Sequence, residues 1–233
     1  MIIQAVEVVP RKKGYLRITA QWEDEEKNLP PEVWSDLVDD PDFPEFFVSD
    51  EVVYRRNIRK GLVISLKEMT QLIYEDDLVK ARDYGLFLLN YKMRTEKEIE
   101  DKLKEKNFSD EVIQKTVERL IDYGFIDDEK YAELYLKQRI AQRGARTIEH
   151  ELAKKGVSRE IANELLDELG DEEESAALEA CKKKVRNLRG RGLEERRVKE
   201  KTYRILLSRG YDYNLIKKVY NLTLEELDYE EEV

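Results

Sequence analysis

The chain has 233 residues, with 42 Lys+Arg against 52 Asp+Glu, a net charge of -10. Charged residues make up 40% and hydrophobic residues 41%, and no apolar run approaches the roughly 20 residues of a membrane-spanning helix. The single cysteine, Cys181, excludes an internal disulfide framework and fits a reducing cytoplasm. With one histidine, His150, no zinc site is expected, and the start shows no charged region leading into an apolar one, so no signal peptide is read.

The first segment has strand character. Residues 2–9 are rich in Ile and Val, and Tyr15–Ala20 reads as a second strand, with Arg11, Lys12, Lys13 and Gly14 as the hairpin turn between them. Residues 21–45 are acidic and Pro-rich and read as a loop or insertion, and Phe46–Val48 as a third strand. Ser65 and Glu68 have capping-box spacing and open a helix expected to run through Ile73. The sequence thus predicts a small β-rich α/β unit over residues 1–77.

All five prolines fall in the first 44 residues, so the rest of the chain is free to form long helices. A repeat is visible there. The stretch from Leu103 to Ser109 matches that from Leu152 to Ser158, and again that from Leu206 to Asp212. Leu103, Leu152 and Leu206 anchor the end of a helix, preceded four residues earlier by Ile99, Ile148 and the weaker Thr202. Lys106, Lys155 and Arg209 suit the negative end of a helix dipole. Asn107, Gly156 and Gly210 tolerate the left-handed conformation that ends a helix. Phe108, Val157 and Tyr211 supply the apolar contact after it, and Ser109, Ser158 and Asp212 cap the next helix. A further helix precedes each pair: the first carries Tyr84, Phe87, Leu88 and Tyr91 on one face, the second Tyr131, Leu134, Tyr135 and Gln138, the third Leu178, Cys181, Val185 and Leu188. The expected organisation is three tandem three-helix repeats of about 11-residue helices, over 78–126, 127–170 and 171–224. These would form an elongated array, followed by an acidic tail, 225–233.

Charge is concentrated. From Lys182 to Arg209 there are 12 basic and 3 acidic residues, while Glu225 to Glu232 holds six acids and no base. A basic stretch in an acidic protein points to a local anionic partner. The candidate contact residues are Lys182, Lys183, Lys184, Arg186, Arg189, Arg191, Arg196, Arg197, Lys199, Lys201, Arg204 and Arg209, with a smaller set of Arg94, Arg143, Arg146, Lys154 and Lys155. Lys155 also has a purely structural role open to it at the helix dipole. No catalytic constellation is present: His150 is expected on a solvated helix face, Cys181 as a small buried hydrophobe, and Asp127 and Asp128 as a helix cap and first turn rather than a metal site. No phosphate-binding glycine loop occurs, so neither enzyme activity nor a cofactor is expected.

Three pieces in order make the repeats recognisable: residues 91–99 with Leu103, residues 123–132, and residues 143–157. Together they resemble the RecX family, bacterial regulators of the RecA recombinase, over about residues 78–222. The resemblance implies an all-α array of three-helix repeats lying in the groove of the RecA–DNA filament. It also implies that the partners are the filament and the DNA within it, and that the effect is inhibition or tuning of ATP hydrolysis, filament growth and strand exchange; the chain itself is expected to be a monomer. The acidic stretch 21–45, the acidic tail and the Arg189–Gly192 segment depart from that pattern. A rival reading is a stand-alone nucleic-acid-binding repeat protein of helix-turn-helix type. Charge argues against it, because the helices after Ser109 and Ser158 carry Asp110, Glu111, Glu118, Glu160 and Glu164.

Overall fold

The computed structural model describes residues 1–10, 12–21 and 45–232. The chain divides into two compact units, Met1–Lys92 with Ile99–Phe125, and Met93–Glu98 with Ile126–Val233.

The first unit opens with three antiparallel strands in sequential order, β1 (Ile2–Val8), β2 (Tyr15–Gln21) and β3 (Glu45–Ser49). A tight turn joins β1 to β2: the Tyr15 amide donates to the Lys12 carbonyl, and Gly14 takes the positive φ (80°) that the reversal needs. The inward positions Ile3, Ile18, Ala20 and Val48 meet Val52 and Val53 of helix α1 (Asp50–Arg55) and Met69, Leu72 and Val79 of helix α2 (Leu66–Tyr91) in one core. Each fully buried aliphatic side chain there contributes about 1.5–3 kcal/mol. The capping box at the start of α2 forms as expected: the Glu68 amide donates to Ser65 Oγ, and the Ser65 amide donates to Glu68 Oε2 at 2.9 Å. The buried Asp76 carboxylate ties α2 to the sheet, accepting from the Ser49 amide at 2.7 Å while paired with Lys80 at 2.6 Å. Helix α4 (Asp110–Asp122) lies along α2, close enough that Leu120 touches the space where Gly85 has no side chain.

Two expectations change here. The helix opened by Ser65 does not stop near Ile73. It runs unbroken to Tyr91, through the boundary expected at residue 77, because nothing between Tyr74 and Asp83 breaks a helix. The first helix of the first repeat is therefore the second half of α2. On that half Tyr84, Phe87, Leu88 and Tyr91 share one helix face as expected, with Leu88 buried and Phe87 and Tyr91 65% and 87% exposed. The residues of the expected loop, 22–44, lie outside the described residues, as does Arg11 of the hairpin turn.

The second unit holds the other two repeats. Helices α5 (Asp128–Arg139), α6 (Ala145–Lys154) and α7 (Arg159–Glu168) bury Ala132, Leu136, Ile140, Ile148, Leu152, Val157, Ala162 and Leu165 together. Helices α8 (Gly170–Arg189), α9 (Glu195–Ser208) and α10 (Tyr213–Glu232) bury Ala177, Cys181, Val185, Val198, Leu206, Tyr211 and Ile216. Helix α3 (Glu96–Lys104) spans the division of the chain. The turn signature holds in all three copies: Asn107, Gly156 and Gly210 have φ of 62°, 92° and 89°. Ser109 and Ser158 cap α4 and α7, and Asp212 Oδ1 accepts from the Asn214 amide at 2.7 Å. Asp127 caps α5 as its position predicts, and Asp128 accepts from the Glu96 amide at 2.9 Å. Cys181 is fully buried and His150 exposed, as expected.

Helix lengths depart from the uniform expectation: α8 and α10 each have 20 residues. Helix α10 continues through the acidic segment expected to be a separate tail. It does so because Leu224 and Leu227 extend its apolar stripe onto the repeat core, giving that segment a buried side.

Candidate partner and nucleic-acid interface

The candidate cations fall into groups that the linear sequence does not separate. Several are held by carboxylates. Lys155 is the most constrained: its Nζ lies 2.6 Å from Glu98 Oε1, against the stacked rings of Tyr131 and Tyr135. Burial disfavours its charge, yet the Glu98 carboxylate and the Tyr131 hydroxyl prevail and hold the ammonium's pKa above the usual lysine value. The Lys155 carbonyl accepts from Thr95 Oγ1 at 2.6 Å, so this residue clamps the entry to α3 onto the second repeat. That gives Lys155 the structural role which its helix-end position left open. Arg146 reaches Asp212 at 2.5 Å and joins the second repeat to the third. Lys182 pairs with Glu226 and Glu179, the former keeping its pKa above the ordinary range. Arg189 pairs with Glu195 at 2.8 Å.

Arg94 and Arg143 both stand half-buried just before a middle helix, and Arg94 Nε is buried without a hydrogen-bond acceptor among the described residues. Lys154, Arg186 and Arg191 are exposed.

Two surface features gather the remainder. On α9, Arg197, Lys201 and Arg204 follow at spacings of four and three, which places them on one helix face. All three are exposed, and no ion pair engages them among the described residues. The opposite flank of α9 carries Arg196, itself paired with Glu200 at 3.3 Å, and Lys199, which with Arg189, Glu195, Tyr220 and Asn221 line a depression of about 590 Å³. Lys199 lies over the Tyr203 and Tyr220 rings at 5.6 and 5.9 Å, so an aromatic floor sits beneath a cationic rim.

The second feature is a groove of about 860 Å³ bounded by the end of α5, α8 and α9. Lys183, Lys184 and Arg209 stand on its rim. Its floor is not anticipated by the sequence reading: Ile140 and Ala141 come from the second repeat, Ala176, Ala180 and Ile205 from the third. The signal available is the spacing of Ala176 and Ala180, one turn apart on the same helix face.

Among the described residues no group of histidine, cysteine and carboxylates is arranged to hold a metal ion, and no helix is long and apolar enough to cross a membrane.

Comparison with known proteins finds three domains in series. Family models described as the first, second and third three-helix domains of RecX match residues 81–120, 127–166 and 171–220. A relative named Regulatory protein RecX, from Clostridium perfringens (strain 13 / Type A), is 33% identical over 175 residues, covering 75% of this chain and 82% of its own. A crystal structure of a regulatory protein RecX aligns with a TM-score of 0.69 over 94% of this chain and 98% of its own, at 24% identity, which shows a shared fold. The crystal structure of RecX from Lactobacillus salivarius aligns at 0.60 and 28% identity over 66% of this chain and 99% of its own.

Proposed function

The chain belongs to the RecX family, and from that premise we propose that it is a non-enzymatic, cytoplasmic, monomeric regulator that binds a recombinase–DNA filament of the RecA type. It acts by engaging successive protomers through its repeats, and so restrains ATP hydrolysis, filament growth and strand exchange. The observation that carries the reading is the α9 stripe. Arg197, Lys201 and Arg204 stand on one exposed face with no ion-pair partner among the described residues, in a unit where Lys155, Lys182, Arg189 and Arg146 are all paired. A row of such cations repels itself, and a polyanion such as the DNA of a filament relieves that repulsion and releases counterions.

The alternative, a helix-turn-helix protein reading DNA by itself, needs a basic helix after each turn. Helices α4 and α7 instead expose Asp110, Glu111, Glu118, Glu160 and Glu164.

The experiment is single-stranded-DNA-dependent ATP hydrolysis by RecA, titrated with this protein at moderate salt. Loss of hydrolysis at substoichiometric protein supports the proposal. Unchanged hydrolysis together with absent cosedimentation overturns it, and sequence-specific binding to bare duplex DNA moves the reading to the alternative.

A further inference from the structure

We infer that the groove between the second and third repeats is a docking site for an acidic, amphipathic segment of a partner protein, distinct from the α9 stripe. The inference is independent of the filament reading.

The lining is largely apolar: Ile140, Ala141, Ala176, Ala180 and Ile205 bring methyl and methylene groups, beside the polar Ser175 and Asn187, to a cavity of about 860 Å³, within the size range of formed ligand sites. Ala141 is exposed and Ala176, Ala180 and Ile205 half-exposed. Alanines admit a partner's larger side chains close to the α8 backbone, which a Leu at those positions would prevent.

The rim supplies the sign of the partner. Lys183 and Arg209 are exposed and Lys184 half-buried, and none of the three has an ion-pair partner among the described residues. By contrast Lys182, one residue away, pairs with Glu179 and Glu226. Three unmatched cations above an apolar floor are complementary to apolar side chains flanked by carboxylates, the pattern of an acidic amphipathic helix laid in a groove.

A nucleic acid fits less well. Between the cations only Ser175 and Asn187 offer neutral donors to phosphate, and Glu172 and Glu179 stand at the same cavity, where they repel a continuous polyanion. A peptide can leave those two positions neutral.

The test uses the full-length protein, 13C-labelled at alanine methyls, titrated with a synthetic helical peptide carrying leucine on one face and glutamate on the other. Expected are shifts of the Ala141, Ala176 and Ala180 methyls, and binding weakened about tenfold by the paired change Lys183→Glu and Lys184→Glu. These two side chains reach solvent, so that variant tests the site without burdening the fold. Ala176→Trp, which fills the groove, should abolish the shifts. If it fails to fold, the charge-reversed variant alone decides. A control peptide with lysine for each glutamate, and a single-stranded oligonucleotide, should leave the three methyls unmoved. Absence of binding, equal binding of the lysine peptide, or the same methyl shifts with the oligonucleotide each overturns the inference, the last by making the groove a nucleic-acid surface.

Discussion

Gly144 and Gly210 meet backbone to backbone. The Gly144 amide donates to the Arg209 carbonyl at 2.9 Å, and a Cβ on Gly144 would strike the backbone of Gly210 and Tyr211. A Cβ on Gly210 would in turn strike Thr147, at a φ of +89° that disfavours any other residue. The second and third repeats are thus fastened where neither residue has a side chain. Arg146–Asp212 and the Ala145 amide on Glu173 reinforce the join at 2.5 and 2.7 Å.

Gly210→Ala is therefore expected to cost about 2 kcal/mol or more, combining a left-handed backbone with a clash that cannot relax. Gly170→Ala is the control: nothing lies within 4 Å and its backbone is not left-handed. There the added methyl should stabilise by about 0.5–1 kcal/mol through the unfolded state. Urea denaturation of the two variants measures the contrast, and equal effects would remove the close approach as the cause.

Lys155 is predicted to act as a clamp. Lys155→Met should destabilise by about 1–2 kcal/mol, the cost of breaking a buried pair discounted for the partial exposure of both side chains. A double-mutant cycle with Glu98→Gln should give a coupling of about 1 kcal/mol. The pH dependence has a definite sign. The folded pKa of Lys155 lies above its unfolded value, so the contribution is complete below the ordinary lysine range and declines as pH rises through the folded value. A DNA-binding or filament defect in Lys155→Met at unchanged stability would make Lys155 a partner-contact residue instead.

Glu173 should behave in the opposite sense. Burial pushes its carboxyl above the usual range, although the Ala145 amide opposes that shift. A raised carboxyl favours the neutral form in the fold, so its charge weakens stability above the folded pKa, and that cost fades as pH falls towards the unfolded value. Glu173→Gln keeps an acceptor for the Ala145 amide and should be neutral or slightly stabilising near pH 7, with no difference in acid. Glu173→Ala orphans the amide and should cost about 1–3 kcal/mol. Thermal melts of both variants across pH check the pair.

The α9 stripe should set the salt dependence. Replacing Arg197, Lys201 and Arg204 with alanine should lower the slope of log K against log salt by about 0.7 for each phosphate no longer neutralised on single-stranded DNA. The triple variant should keep its melting temperature, because the three side chains are exposed. Anisotropy of a labelled oligonucleotide, alone and within a RecA filament, gives both slopes. An unchanged slope would place the polyanion surface elsewhere.

The repeats were legible because the turn that ends each middle helix is written in local chemistry. Asn107, Gly156 and Gly210 take the left-handed conformation that their residue types permit, and Ser109, Ser158 and Asp212 cap the third helix of each repeat. The end of α2 was not legible, because a continuous run of helix formers carries no mark where one packing role gives way to another. The run of acids from Glu225 hid Leu227, which with Leu224 just before that run keeps α10 on the core.

The sequence by itself determined the elements: three strands and a row of capped helices arise from alternation, helical spacing and turn residues, all of which act over a few positions. It also determined that charge is concentrated in residues 182–209. Tertiary structure alone decided what each cation does. Glu98 and Lys155 are 57 residues apart, and Arg146 and Asp212 are 66 apart. Whether a lysine is neutralised, caged or left on a groove depends on which distant carboxylate packing delivers to it, and no local pattern encodes that.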